Sequence, residues 1–263
     1  MDISLKSIDA GRAFDWGRTS ADYARYRDIY PPDFYKWLAE NGIGTAGQRV
    51  LDLGTGTGVL PRNMYRYGVQ WTGIDISENQ IAWARELAGR ESMDISFLCT
   101  PAEELDLPGD SFDAVTACQC FWYFDMKTLV PKLTELLKPH GKLAVMQMEW
   151  LPFEDKIAGE CEQLVLKYNP TWSGAGETRK PVHIPDELLE RFSVIKRAGF
   201  DLHVLFTRES WHGRLRACRG TAASLSESEL AEWEKENAAL LEGIAPESFT
   251  ILHYAAFCIL ELK

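Results

Sequence analysis

The chain is poor in the features that mark export, membrane insertion and structural metal. Six cysteines stand at positions 99, 118, 120, 161, 218 and 258. They form no C-x-x-C pair, and none lies at zinc-like spacing from any of the five histidines, so no metal site is expected. Cys118 and Cys120 alternate along one segment and share a face if a strand reaches that far. The cysteines read as small reduced core residues, which suits a cytoplasmic protein. The first 20 residues carry Asp2, Lys6, Asp9, Arg12 and Asp15 and leave no room for the apolar centre of a secretory signal. No apolar run approaches the roughly 20 residues that a membrane span needs. Positive charge is scarce: 28 Lys and Arg against 39 Asp and Glu, a net charge of −11. That balance, with no basic stripe, argues against nucleic acid and anionic membrane as partners. Internal repeats and low-complexity tracts are absent. What is left, 46% hydrophobic and 25% charged, is the composition of a soluble globular protein, expected as a monomer or homodimer.

Between residues 49 and 150 the chain alternates regularly. Short β-rich runs occur at RVLDL (49–53), QWTGID (70–75), ISFLC (95–99), FDAVTAC (112–118) and KLAVMQME (142–149). Each is apolar on both faces, as a buried parallel strand is. The stretches between them read as helices. Ser77 and Gln80 have capping-box spacing ahead of Ile81, Ala84 and Ala88 on one face. LVPKLTELLKPHGK reads as a helix stopped by Pro139 and Gly141, with Pro131 implying a late start or a kink. Residues 1–45 form an aromatic-rich helical cap and 46–150 the core. Residues 151–190 break the rhythm with one helix near 154–168 and a Gly- and Pro-rich loop suited to move over a site. Residues 191–263 hold two more strands, 200–211 and 250–262, around an acidic helix near 226–242. All of this reads as a single α/β domain.

The sharpest local signal is RVLDLGTGTGVL, residues 49–60. A strand runs into Gly54, Gly56 and Gly58, a helix follows, and Asp75 ends the next strand. Glycines let backbone turn tightly against a ligand, and an acidic residue at that second tip accepts hydrogen bonds from ribose hydroxyls. A nucleoside-containing ligand is therefore expected. Dinucleotide loops carry a diphosphate and usually read G-x-G-x-x-G, whereas this loop reads G-x-G-x-G and has Asp52 just ahead of it. A carboxylate there repels a diphosphate and suits a cationic, phosphate-free nucleoside such as S-adenosylmethionine, directly or through water. A capping role for Asp52 toward the loop amides is open as well, and the two roles are compatible.

These segments together resemble class I S-adenosylmethionine-dependent methyltransferases: VLDLGTGTG as the first motif, GIDIS as the second, PAEELDLPGDSFDAV as the third and fourth, and LKPHGKLAV leading into the fifth strand. The resemblance implies a three-layer Rossmann-like fold with a seven-stranded sheet of order 3-2-1-4-5-7-6. Strand seven is antiparallel, with an N-terminal helical cap and an insertion after strand five. It implies that Gly54, Thr55 and Gly56 line the methionine moiety, Asp75 meets the ribose and Ile76 the adenine face; Asp52, Gly58 and Gln80 are further expected cofactor-binding residues. Ala102 and Glu103 would reach the adenine edge. Pro101 stands where many relatives have an Asp, so either Glu103 takes that contact or it is lost.

QCFWYFD, residues 119–125, is loosely similar to a Q/E-x-x-H-W-F-D pattern of the subgroup that includes trans-aconitate methyltransferase. Gln119 matches and would meet the cofactor. Trp122 replaces the His, and Tyr123 the Trp. Tyr23, Arg27 and Tyr30 match a Y-x-x-x-R-x-x-Y-P segment that folds over the cofactor in the same subgroup. Methyl transfer discharges a sulfonium, which a dry aromatic wall favours, and residues 121–124 can supply one. Candidate catalytic residues are Trp122, Glu149 and His183. A small organic acid as acceptor would want an arginine: Arg179 in the loop, or Arg214, Arg216 and Arg219 in GRLRACRG, which otherwise reads as a solvated basic turn. The competing readings are a nicotinamide-dependent oxidoreductase and a non-catalytic S-adenosylmethionine-binding module.

Overall fold

The computed structural model describes residues 3–263; residues 1 and 2 of the expected N-terminal cap lie outside them. Seven strands form one sheet: β1 Arg49–Leu53, β2 Gln70–Asp75, β3 Ser96–Cys99, β4 Phe112–Cys118, β5 Leu137–Trp150, β6 Phe192–Thr207 and β7 Ser248–Leu262. Their order is β3-β2-β1-β4-β5-β7-β6, with β7 antiparallel, as expected. β1 pairs in parallel with β2 and with β4, so Leu53 aligns with Ile74 on one side and Ala117 on the other. The carboxyl ends of β1, β2 and β4 thus open at one edge of the sheet. That edge is where α/β sheets bind ligands.

Among the described residues nine α-helices accompany the strands: α1 Ser20–Tyr26, α2 Pro32–Glu40, α3 Val59–Met64, α4 Glu78–Arg90, α5 Met126–Leu136, α6 Lys156–Tyr168, α7 Asp186–Arg191, α8 Arg208–Arg216 and α9 Glu227–Ile244. The S-x-x-Q signal starts α4, where the Ser77 hydroxyl accepts the Gln80 N–H. Ile81, Ala84 and Ala88 of α4 then pack with Phe97 of β3. Three expectations need correcting. α5 starts early, at Met126 behind the Asp125 cap, and Pro131 sits inside it. That proline has no N–H for the helix, but its helical neighbours Leu129, Val130 and Leu133 are buried, and burial outweighs the lost bond. β5 begins at Leu137 and takes up the stretch read as a helix end, through His140 at φ +60°. The run 200–211 is not all strand. Thr207 and Ser210 form a reciprocal cap that starts α8 at Arg208.

The chain divides into two compact units. One comprises Tyr30–Met148, Lys180–Phe200 and Ala255–Lys263; the other comprises Met1–Ile29, Glu149–Arg179 and Asp201–Tyr254. The first contains the glycine loop and α2 to α5. The second is centred on an aromatic cluster of Trp150, Trp172, Phe206 and Trp211. It is stitched to its N-terminal segment by buried polar contacts. Arg219 Nε donates to Asp9 Oδ2 at 2.7 Å, and the Ser173 N–H donates to Asp9 Oδ1 at 2.7 Å. Among the described residues no helix is long and apolar enough to cross a membrane.

Candidate active site

The glycine loop is shaped by what lies behind it. Gly54 has φ +57°, and a Cβ there would fall 2.8 Å from Cys120 Cβ and 2.9 Å from its sulfur. Only glycine tolerates both the left-handed backbone and that contact. Cys120, expected as a core residue, is 9% exposed and so serves as the floor of the loop. Thr55 is buried and donates its N–H to Ile74 O at 2.8 Å, tying the loop to β2. Gly58, at φ +73°, precedes the first turn of α3.

Asp75 organises the second strand tip. Its Oδ2 accepts the Gly56 N–H at 2.9 Å and its Oδ1 accepts the Ser77 N–H at 2.9 Å. The carboxylate keeps acceptor capacity beyond these two bonds. Burial nevertheless pushes the Asp75 carboxyl up from its ordinary range, against the backbone N–H groups of Ser77, Gly56 and Ile76. Ile76 is 42% exposed just beyond it. Gln80, in contrast, is buried in α4.

Asp52 lies deeper than its expected role at the strand tip suggests. It is 2% exposed, and its Oδ1 accepts the Thr116 hydroxyl at 2.7 Å across the β1–β4 pair. Burial pushes its carboxyl up to about 7; hydrogen bonds from Thr116 and Thr55 oppose this, and the charge of Asp75 adds to it. Burial is the first cause at both carboxyls, and at Asp52 the charge of Asp75 is a further one. A cationic ligand would offset that charge, and a diphosphate would add to it. The donor set therefore fits S-adenosylmethionine.

Other expected residues fall into three groups. Ala102 is buried in a single helical turn, and Glu103 Oε1 accepts the Asp125 N–H at 2.9 Å. Glu103 thus braces the loop that follows β4 with one oxygen and retains the other. Gln119, at φ +62°, turns the chain at the end of β4, and its Nε2 donates to Met148 O. Trp122 and His183 come together: with Phe121, Phe124, Val182 and Pro185 they line an apolar cavity of about 270 Å³. Trp122 is 45% exposed. Tyr23, Arg27 and Glu149 belong to the other unit, whereas Tyr30 belongs to the unit of the loop. Arg27 Nη2 donates to the Tyr23 hydroxyl at 2.9 Å, and Cys118 Sγ donates to the Tyr30 hydroxyl at 3.4 Å. The basic turn is not solvated: Arg214 and Arg219 are 2% and 8% exposed. Among the described residues no cluster of metal-ligating side chains occurs.

Known proteins agree with this geometry. The methyltransferase domain family matches residues 51–145. A ubiquinone biosynthesis O-methyltransferase of Bradyrhizobium diazoefficiens is 35% identical over 145 residues, 54% of this chain and 55% of that one. An uncharacterized methyltransferase of Mycobacterium bovis is 30% identical over 134 residues, 51% and 52% of the two chains. The chain thus spans about half the length of the curated relatives it matches. Haemonchus contortus phosphoethanolamine N-methyltransferase 2, solved with S-adenosylhomocysteine and phosphomonomethylethanolamine, shares the fold at TM-score 0.54 and 19% identity, covering 93% of this chain and 57% of that one. Residues 51–145 are thus similar to a methyltransferase domain, and methyltransferases of this fold, one of them solved with S-adenosylhomocysteine, imply S-adenosylmethionine as the cofactor.

Proposed function

We propose that the protein transfers the methyl group of S-adenosylmethionine to a small-molecule acceptor, with an organic acid as the favoured class. The observation that carries this reading is Asp75. It holds the glycine loop through Gly56 and keeps acceptor capacity for a ribose, inside a region whose buried carboxyls favour a cation. When bound, the cofactor supplies an electrophilic methyl on a sulfonium. The chain's own contribution is to hold that nucleoside and to keep water away from it. Phe121, Trp122 and Phe124 provide the apolar wall, Gln147 and His183 are the polar side chains beside it, and His183 is the one assigned to an acceptor hydroxyl or amine. A carboxylate acceptor is already ionised at neutral pH and needs no base. The acidic surface supports a small acceptor over nucleic acid. A nicotinamide dinucleotide would set its diphosphate against Asp52 and Asp75, which disfavours the oxidoreductase reading.

The test is transfer of labelled methyl from S-adenosylmethionine into a fractionated pool of small metabolites. Label in a low-mass acid fraction is expected. Label only in protein or nucleic acid would refute the small-molecule reading, and none in any fraction would favour the non-catalytic module.

A further inference from the structure

Four arginines were candidates for holding an acid, and the structure separates them by their partners. Arg179 is committed to Asp201, at 2.8 and 2.7 Å, and to Glu154 at 2.5 Å. Arg216 is committed to Asp22 at 2.6 Å and to Glu234. Arg219 is committed to Asp9 at 2.7 Å in a buried ion pair. Arg214 differs. It is 2% exposed, yet among the described residues it forms no ion pair. Its Nη1 donates to Cys218 Sγ at 2.9 Å, its guanidinium lies 5.0 Å from the Trp150 ring centroid, and its Nε has no partner.

A buried guanidinium without a carboxylate is costly, and chains keep such a group where a ligand completes it. The surroundings accentuate the deficit. Burial and then the Arg27 guanidinium push the proton affinity of Arg214 down; Cys218, Glu149 and Tyr23 offset part of this. The same two arginines act on His253, which is fully buried; burial above all, then Arg214 and Arg27, holds it down to about 3. His253 is therefore neutral. Its Nδ1 lies 3.0 Å from Ile251 O, so Nδ1 carries the proton, and Nε2 is a second buried polar atom without a partner. All of these residues belong to one unit, Met1–Ile29, Glu149–Arg179 and Asp201–Tyr254.

We propose that Arg214 forms a binding site for a small oxyanion, the carboxylate of an organic acid. Arginine presents a planar fork of donors that matches a carboxylate, and Trp150 orients that fork by lying against it. The anion site itself does not rest on the transferase reading above.

The experiment follows melting temperature and binding heat of the whole chain with succinate and with inorganic phosphate, against sodium chloride at matched ionic strength. Saturable stabilisation by succinate is expected in the wild type and in Arg214→Lys. Arg214→Met should weaken the succinate response at least tenfold while leaving S-adenosylhomocysteine affinity within about twofold. Without added anion, Arg214→Met should melt no lower than the wild type, because it removes an uncompensated buried charge. A wild type that responds to phosphate alone, or no more than to chloride, overturns the proposal without any variant. An Arg214→Met protein that binds succinate as the wild type does overturns it as well. S-adenosylhomocysteine binding without a succinate response sinks this inference alone; a succinate response without S-adenosylhomocysteine binding sinks the transferase reading alone.

Discussion

Asp75 Oδ2 accepts the backbone N–H of Gly56 at 2.9 Å, so the carboxylate proposed for the ribose also holds the glycine loop. The two halves of a nucleoside site are thereby coupled through one side chain. Replacing Asp75 by Ala removes the charged acceptor and releases Gly56 and Ser77. The expected loss of S-adenosylhomocysteine affinity is about 1–3 kcal/mol, the scale of hydrogen bonds to a charged group. Calorimetry giving an unchanged affinity would take Asp75 out of the site.

Gly54 is confined by Cys120. A Gly54→Ala variant must place a Cβ 2.8 Å from Cys120 Cβ and hold an L-residue at φ +57°. Overpacking and backbone strain together predict a stability loss of about 2–4 kcal/mol in chemical denaturation. Adding Cys120→Ala leaves the Cβ contact and the φ strain but relieves the contact with sulfur, so it should recover only part. Full recovery would show that backbone strain at Gly54 is negligible.

Asp52 gives the protein a specific pH signature. Its carboxyl loses a proton near 3.8 when unfolded and near 7 when folded. Between those values only the folded chain holds the proton, so this group's contribution to stability falls as pH rises through the window. Asp52→Asn removes the effect. The melting temperature of the variant minus that of the wild type should rise from about pH 4 to about pH 7 and level off beyond. A difference that stays flat across that range would contradict a buried, proton-retaining Asp52.

The two kinds of ion pair in the chain should behave differently. Arg219 and Asp9 are 8% and 1% exposed, and Asp9 is further bonded by Ser173. Removing one member with Asp9→Ala strands a buried guanidinium and should cost about 3–5 kcal/mol. Arg179, exposed between Asp201 and Glu154, should cost no more than about 1 kcal/mol on truncation to Ala. Equal losses in denaturant titrations would refute the distinction.

Much of the fold was legible because burial and the strand period coincide in β1, β2 and β4, whose limits match the apolar runs residue for residue. The sheet order came with the family resemblance rather than from periodicity. Local signals misled where tertiary burial overrode them, as at Pro131, held inside α5 by its buried neighbours. The glycine loop and Asp75 were legible because backbone geometry dictates residue type there. The depth of Asp52 was not, since Thr116 lies 64 residues away and only register on the neighbouring strand pairs them. The arginines of GRLRACRG were named together, but sequence spacing carries no information on which of them finds a carboxylate. Asp9 and Asp22, which settle that for Arg219 and Arg216, lie some 200 residues upstream.

The most direct measurement is isothermal titration of the whole chain with S-adenosylhomocysteine and, separately, with NADH. One saturable site for the first and none for the second is the predicted result. Saturable NADH binding with no heat from S-adenosylhomocysteine would mean that a diphosphate, not a phosphate-free nucleoside, sits against Asp75, and it would contradict the account at its base.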